Sequence, residues 1–491
     1  MELDGDPDAA RRVAPCPPGQ EDGSGPLDVR DGVVGRVKPS SLPPAVVVRT
    51  VQGASMSGPA PEAVERRFTD ERWTAGVIGL GYVGLPLAVT AAQRGLDVVG
   101  FDVTTSLIDQ LNSGSSHVGD VSDEELSSAL QGGAVFTADP DQLRQADAIF
   151  VAVPSPLGLN RQPDMSFIEA AAATVRSVAR PGQLVSLEST TYPGTTEDIL
   201  LPAVESAGLQ LDVDAFVAFS PERVDPGNTL KTADIPKVVG GVSDVSGRIA
   251  AAAYGRLVST VHLVSTARAA ELAKLLENTY RAINIAMVNE LAQFANAFDI
   301  DIWEVIEAAA TKPFGFQAFY PGPGVGGHCI PLDPQYLAWR ARERKVPTRF
   351  IDLAEQVNAH MPEYVVQRLF EELNHRGKAM RGTRALAVGI AYKPNVADDR
   401  ESPAVDVLER LARRGVRIDV LDPHVDDARV VARGYGVADL SAEEEPYDLA
   451  LVLTDHDAID YQQVFDTSRF IFDTRGAYRK RGVAEGRVVT L

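Results

Sequence analysis

The chain falls into two textures. Up to about residue 72 the apolar positions keep no period, and Pro, Gly, Asp and Arg dominate, so residues 1–72 are predicted to be a disordered tail. From Thr74 the pattern becomes regular, with short β-branched runs alternating with stretches whose apolar residues return every three or four positions. The first unit, AGVIGLGYVGLPLAVTAAQRGLDVVGFDV, reads as strand, glycine turn, apolar helix and second strand. AIFVAVPSP (148–156), LVSLESTTYPGTT (184–196), FVAFSPERVDPGN (216–228) and KVVGG (237–241) read as further strands, with a helical stretch at 166–179. Such alternation predicts a mainly parallel sheet with ligands at the carboxyl ends of its strands. ARAAELAKLLENTYRAINIAMVNELAQFANAFDID (267–301) carries neither Pro nor Gly and predicts one long helix, and a second helical pattern covers 348–375. At 384–423 strand, loop, helix and strand begin again, and DLALVLTDH (448–456) and RFIFDTRG (469–476) add two more strands.

Composition narrows the class. Apolar residues make up 45% and charged residues 23% of 491, as in ordinary globular proteins, and no apolar run reaches the ~18–20 residues of a membrane span. A formal charge of −21 without a basic stripe argues against a nucleic-acid partner. The two cysteines, Cys16 and Cys329, cannot form a disulfide framework, and a thiol kept reduced suits the cytoplasm. The amino-terminal stretch has neither the charged start and apolar core of a secretory signal nor the acid-poor composition of a mitochondrial presequence.

Gly79, Gly81 and Gly84 fit G-x-G-x-x-G between a strand and a helix. In that motif the first glycine makes the turn, the second lets backbone approach a pyrophosphate, and the third lets helix and strand pack. Asp102 closes the second strand 18 residues past Gly84, at the distance from which an acid accepts from ribose hydroxyls and repels a 2′-phosphate; NAD is expected over NADP. The fold class is therefore α/β, with two doubly wound Rossmann-like domains joined by a central helical segment. The second domain has Lys393, Asp398, Arg400 and Ser402 in its first loop in place of glycines, which suits a phosphorylated ligand. The expected boundaries are 73–265 for the NAD-binding domain, 266–376 for the helical segment and 377–491 for the last domain.

The stretch from Pro321 to Pro334, PGPGVGGHCIPLDP, concentrates a thiol, an imidazole and a carboxylate among glycines and prolines, and is read as a shaped loop presenting Cys329 as nucleophile with Asp333 nearby. Lys274 and Asn278 are four apart on the long helix and share a face. Ser155, Thr190 and Glu222 fall at strand ends. No set of side chains suggests a metal.

Seven motifs in this order, VIGLGYVGLPLA, VAVPSP, ESTTYPGTTE, SPER, AKLLENTYRAINIAMVNELA, GPGVGGHCIPLDP and YKPNVADDRESPA, resemble the UDP-glucose/GDP-mannose dehydrogenase family over about residues 74–490. The resemblance implies an NAD domain, a helical dimerisation segment and a UDP-sugar domain, assembled as a homodimer or larger oligomer. It implies oxidation of the sugar C6 alcohol to a carboxylate with two NAD per turnover. Cys329 then forms a thiohemiacetal and a thioester, Lys274 and Asn278 steady the oxyanion, and Thr190, Glu222 and Asp333 position water or move protons. Cofactor contacts are expected from Gly79, Gly81, Tyr82, Val83, Gly84, Asp102, Pro154, Ser155 and Thr190. Substrate contacts are expected from Glu222, Arg223, Lys274, Asn278, Phe319, Tyr320, Gly324, Gly326, Lys393 and Arg400.

One departure bears on the sugar. Family members that oxidise UDP-glucose tend to carry a glutamate where this chain has Pro226, which offers no acid. Phe314, Phe316, Phe319 and Tyr320 could pack an acetyl methyl, although at least two of them are expected to be core. UDP-N-acetylglucosamine is therefore the expected substrate, with UDP-glucose and UDP-N-acetylmannosamine as alternatives. A catalytically silent sugar-nucleotide scaffold would have no use for Cys329, Lys274 and Asp333.

Overall fold

The computed structural model describes residues 58–158, 161–224, 232–327, 329–442, 445–482 and 486–491. The first sheet holds β1 (Thr74–Ile78), β2 (Asp97–Phe101), β3 (Val135–Thr137), β4 (Ala148–Val151), β5 (Gln183–Leu187), β6 (Ala215–Phe219), β7 (Lys237–Gly241) and β8 (Val261–Val264). Their order is β3-β2-β1-β4-β5-β6-β7-β8. Every neighbouring pair is parallel except β6 with β7. The central strands β4, β5 and β6 are buried along their whole length, which is why they read as unbroken apolar runs instead of alternating ones. The second sheet, β11-β10-β9-β12-β13-β14, is parallel throughout. It comprises β9 (Arg384–Val388), β10 (Arg417–Leu421), β11 (Gly436–Val437), β12 (Leu449–Val452), β13 (Ile471–Asp473) and β14 (Val488–Thr490). The chain thus forms two α/β domains with mainly parallel sheets and a helical segment between them, as the alternation predicts.

Three expectations need correction. Residues 58–72 are not tail: helix Pro61–Asp70 buries Val64 and Phe68 against helix Asp244–Tyr254, and Phe68 meets the buried Trp73 edge-on at 5.1 Å. Arg67 also donates to Asp147 at 2.9 Å. An i, i+4 apolar pair in a charged ten-residue helix is a weak periodic signal, and the surrounding Pro and Gly masked it. The rest of that prediction, residues 1–57 with Cys16, lies outside the described residues. The long helix is one helix but ends four residues short of the predicted 301, because helix Ala267–Ala297 stops at a turn where Asp299 has φ 55°, and Asp301 caps the next helix, Ile302–Ala310. Nor is 321–334 a loop throughout, since a helix starts at Cys329 and runs to Glu343 with Pro334 inside it. Pro331 sits in the first turn, where its missing N–H has no helical partner to lose, so proline there reads falsely as a breaker.

The long helix Ala267–Ala297 packs against both the cysteine helix Cys329–Glu343 and helix Arg349–His375, which in turn packs against helix Pro403–Arg413 of the last domain. The central segment therefore touches both sheets' domains, and the chemistry-bearing loops converge on it.

Candidate active site

At the first turn the structure fits a dinucleotide. Gly79 has φ 89° and a Cβ there would lie 2.7 Å from the Ala152 carbonyl. A Cβ on Gly84 would lie 1.8 Å from the Gly79 carbonyl, so only glycine lets helix Gly84–Gln93 reach the strand. Gly81 faces open space, with nothing within 4 Å of its would-be Cβ, and its backbone stays accessible beside the helix amino terminus, as a pyrophosphate requires. Val83 caps that helix and Tyr82 is exposed beside it. Asp102 accepts from Leu80 N at 3.1 Å and Thr104 N at 2.9 Å, so it braces the turn, and each oxygen retains a lone pair for a ribose hydroxyl.

Pro154 and Ser155 follow β4, Thr190 follows β5 and Glu222 follows β6, so all four lie at carboxyl ends of the first sheet. Ser189 Oγ donates to the Val153 carbonyl at 2.7 Å and fastens two of these ends together. Tyr336 of the cysteine helix donates to the Pro156 carbonyl at 3.0 Å and ties that helix to the same edge.

Cys329 is the first residue of its helix, exposed and outside any disulfide, with the positive end of the backbone dipole facing it. Asp333, one turn on, shares its face and is buried. Asn278 Nδ2 donates to Asp333 Oδ2 at 2.6 Å, and Lys274, one turn away on the long helix, is also buried. Burial pushes the Asp333 carboxyl up to about 6, against the opposing pull of Lys274 and the Asn278 hydrogen bond. A carboxyl poised there can take a proton near neutral pH.

Glu222 is held rigidly. Its Oε1 accepts from Arg223 N and Val224 N, both at 2.7 Å, and its Oε2 accepts from Lys237 Nζ at 3.1 Å. Arg223 pairs with Glu277 of the long helix at 2.7 Å and donates to the Pro236 carbonyl at 2.9 Å. Gly324 and Gly326 pack on the last domain, where a Cβ on Gly326 would lie 2.6 Å from the Glu401 carbonyl. Half-buried Lys393 lies in the loop after β9. Arg400 pairs with Asp398 and lies 5.8 Å over the Tyr82 ring, beside the glycine turn. Tyr320 stacks on Trp303 at 5.4 Å, and Phe319 meets Tyr280 at 5.8 Å. Phe314, Phe316 and Tyr320 are exposed and Phe319 is half-buried, so none of the four aromatics is fully buried core. Pro226 and His328 lie outside the described residues.

Several side chains at the site escaped sequence reasoning. Glu271 accepts from Gly194 N, Thr196 N at 2.9 Å and Thr196 Oγ1 at 2.7 Å, clamping the loop after Thr190 to the long helix; burial pushes its carboxyl up to about 7. Asn289 accepts from Gly322 N at 3.0 Å and donates to Asn358, fixing the start of the cysteine loop. Arg475, from the turn after β13, approaches the same loop so closely that a Cβ on Gly322 would lie 2.5 Å from its guanidinium. Burial lowers that guanidinium to about 10. Of these, Glu271 alone left a signal in the sequence, one helical turn before Lys274 and two before Asn278.

Three family models match in succession: the NAD-binding domain of the UDP-glucose/GDP-mannose dehydrogenase family over residues 74–258, its central domain over 268–360 and its UDP-binding domain over 386–480. A UDP-N-acetyl-D-glucosamine 6-dehydrogenase of Pseudomonas aeruginosa is 36% identical over 74% of this chain and 85% of its own length. The solved structure of a UDP-D-ManNAc dehydrogenase from Pyrococcus horikoshii superposes with TM-score 0.74 at 33% identity, covering 82% of this chain and 96% of that one. A UDP-glucose dehydrogenase from Pyrobaculum islandicum superposes with TM-score 0.73 at 29% identity, covering 84% and 96%.

Proposed function

The chain belongs to the UDP-glucose/GDP-mannose dehydrogenase family and is an NAD-dependent UDP-sugar dehydrogenase, and from that premise we propose that it oxidises UDP-N-acetylglucosamine at C6 to the uronate. The observation that supports the chemistry is Cys329 at a helix start with Asp333, Asn278 and Lys274 gathered on the facing turns. NAD, when bound, accepts the hydride lost from C6 in each of two oxidations. The residues account for the rest. Asp333 takes the proton of the C6 hydroxyl, and Lys274 with Asn278 holds the oxygen at which negative charge develops. The Cys329 sulfur adds to the resulting aldehyde, because a thiohemiacetal can lose hydride and an aldehyde cannot readily do so. Water then attacks the thioester, the C–S bond breaks, and the thiol regains its proton. Thr190 and Glu222 orient that water. The enclosed Arg475 guanidinium beside the cysteine loop suits a diphosphate, with Lys393 in the same domain.

For the sugar, support comes from the Pseudomonas aeruginosa relative and from the half-exposed Phe316, Phe319 and Tyr320 near the cysteine loop, a surface for an acetyl methyl. Competition between UDP-N-acetylglucosamine, UDP-N-acetylmannosamine and UDP-glucose decides it. The first should have the highest kcat/KM, with UDP-glucose lower by about ten- to two-hundred-fold for lost acetamido contacts. A higher kcat/KM for UDP-glucose overturns the sugar and leaves the chemistry standing.

We also propose self-association through the long helix, where Leu272, Leu276, Tyr280, Met287, Leu291 and Phe294 are exposed. Leu276→Glu should shift the mass in solution toward the monomer; an unchanged mass contradicts this interface.

A further inference from the structure

The carboxyl ends of β5 and β6, with the adjoining start of the antiparallel β7, carry a buried polar cluster behind Glu222 whose other members the reaction does not touch. Lys237, the first residue of β7, is only 3% exposed. Its ammonium donates to Glu188 Oε2, to the Pro221 carbonyl at 3.2 Å and to Glu222 Oε2 at 3.1 Å, so all three protons are committed. Glu188 is completely buried and accepts through its other oxygen from Tyr254 at 2.5 Å, and Tyr254 in turn meets Ser186 at 2.9 Å. The ring of Tyr254 also lies 5.7 Å beneath the ammonium.

An arrangement like this is costly to bury unless every group is satisfied, and here it is satisfied around one outward-facing member. Glu222 is that member: its side chain is 12% exposed, at the strand end that faces the reaction. Resting on the reading of Glu222 as the residue that orients water, we propose that Lys237 is its positioning residue, fixing the Glu222 carboxylate as an anion in one orientation, while Glu188 and Tyr254 hold Lys237 in place.

The electrostatics agree. Burial alone would raise the Glu222 carboxyl, but Lys237 and the two backbone N–H groups outweigh it and hold the group below its ordinary value. Glu188, buried more deeply and facing Glu222 across the same cation, is pushed up instead. Glu222 therefore serves as a permanent acceptor, and the proton transfer falls to Asp333.

The test is a double-mutant cycle on kcat with Lys237→Met and Glu222→Gln, together with the pH profile of each variant. Lys237→Met should lower kcat by about tenfold or more, leave KM for NAD within about twofold, and move the acid limb of kcat upward. Lys237→Arg should recover most of the loss. In the Glu222→Gln background the same Lys237→Met change should cost less than about twofold, because the group it serves is already altered. If Lys237→Met does not fold, Lys237→Met with Glu188→Gln keeps the buried net charge and replaces it in the cycle. Losses that multiply independently, or a folded Lys237→Met enzyme with wild-type kcat and pH profile, overturn the positioning role. A fully active Glu222→Gln variant overturns the reading of Glu222 itself, so the two failures are distinguishable.

Discussion

The two sheets open with the same turn and use it differently. After β1, Gly79 donates its N–H to Phe101 O at 2.9 Å; after β9, Gly389 donates to Leu421 O at 2.9 Å. Both glycines have positive φ, 89° and 77°, and both lie against a carbonyl just past the neighbouring strand, Ala152 and Thr454. Both turns are braced by an acid one residue beyond the second strand, Asp102 in one domain and Asp422 in the other. Beyond that glycine they diverge. The first turn runs straight into its helix past the open backbone of Gly81, and its acid retains acceptor capacity. In the second, the side chain of Asp422 is fully buried, accepting from Ile390 N, Ala391 N, His424 N and Val425 N, with His456 Nε2 at 3.2 Å. A loop carrying Lys393 and Arg400 precedes its helix. The shared device builds a turn; the residues after its first glycine decide whether that turn receives a dinucleotide.

The sharpest break in this comparison comes from the glycines. Gly84→Ala should abolish folding of the first domain or cost more than about 3 kcal/mol, since the clash is with backbone. Gly81→Ala should leave thermal stability within about 0.5 kcal/mol and raise KM for NAD by about tenfold, because its Cβ intrudes only on the ligand. Thermal unfolding and NAD titration of both variants read this out.

The two acids should part in the same way. Asp422→Ala removes the acceptor of several buried donors and should cost about 3–5 kcal/mol. Burial alone would raise the Asp422 carboxyl, but His456 and the backbone N–H groups hold it well below the usual carboxylate range. Its contribution is therefore present above the unfolded pKa and is lost as pH falls toward the folded one. Asp102→Ala should cost only about 1 kcal/mol while weakening NAD, as urea unfolding against cofactor binding would show.

Asp333 offers the opposite sign. Its folded value, about 6, lies above the unfolded value near 3.8, so the folded state loses stability as pH rises between them. Asp333→Asn should gain on the order of 2–3 kcal/mol above pH ~6 while losing activity, and the wild-type kcat should show an acid limb near that pH. A variant equally stable at pH 5 and pH 8 relative to wild type would contradict the shift. The smallest effect is on cofactor choice: Asp102→Asn should narrow the preference for NAD over NADP by several-fold in kcat/KM, by removing charge opposed to a 2′-phosphate.

Much of the fold was legible because parallel strands buried on both faces leave apolar runs that propensity and period both identify, and because Gly79, Gly81 and Gly84 have few alternatives. The helix at Pro61–Asp70 was lost because two buried residues in ten do not make a period. The cysteine helix was hidden because Pro331 in its first turn and Pro334 inside it mimic a loop. At the site, groups four apart on one helix could be paired in advance, as with Lys274 and Asn278. Lys237, Glu188 and Arg475 could not, since each acts across strands distant in sequence, where only the fold supplies the partner. Arg400 shows the same boundary: its loop was legible, but its lean toward Tyr82 and the glycine turn belongs to the fold.

Cys329 stands in the segment that joins the two domains, and the most direct test of its role counts electrons. With UDP-N-acetylglucosamine limiting and NAD in excess, the wild-type enzyme should release two NADH per sugar and yield the uronate. Cys329→Ala should yield no uronate and at most one NADH, at the aldehyde level. An alanine variant that still delivers two NADH and the uronate would contradict the thioester route.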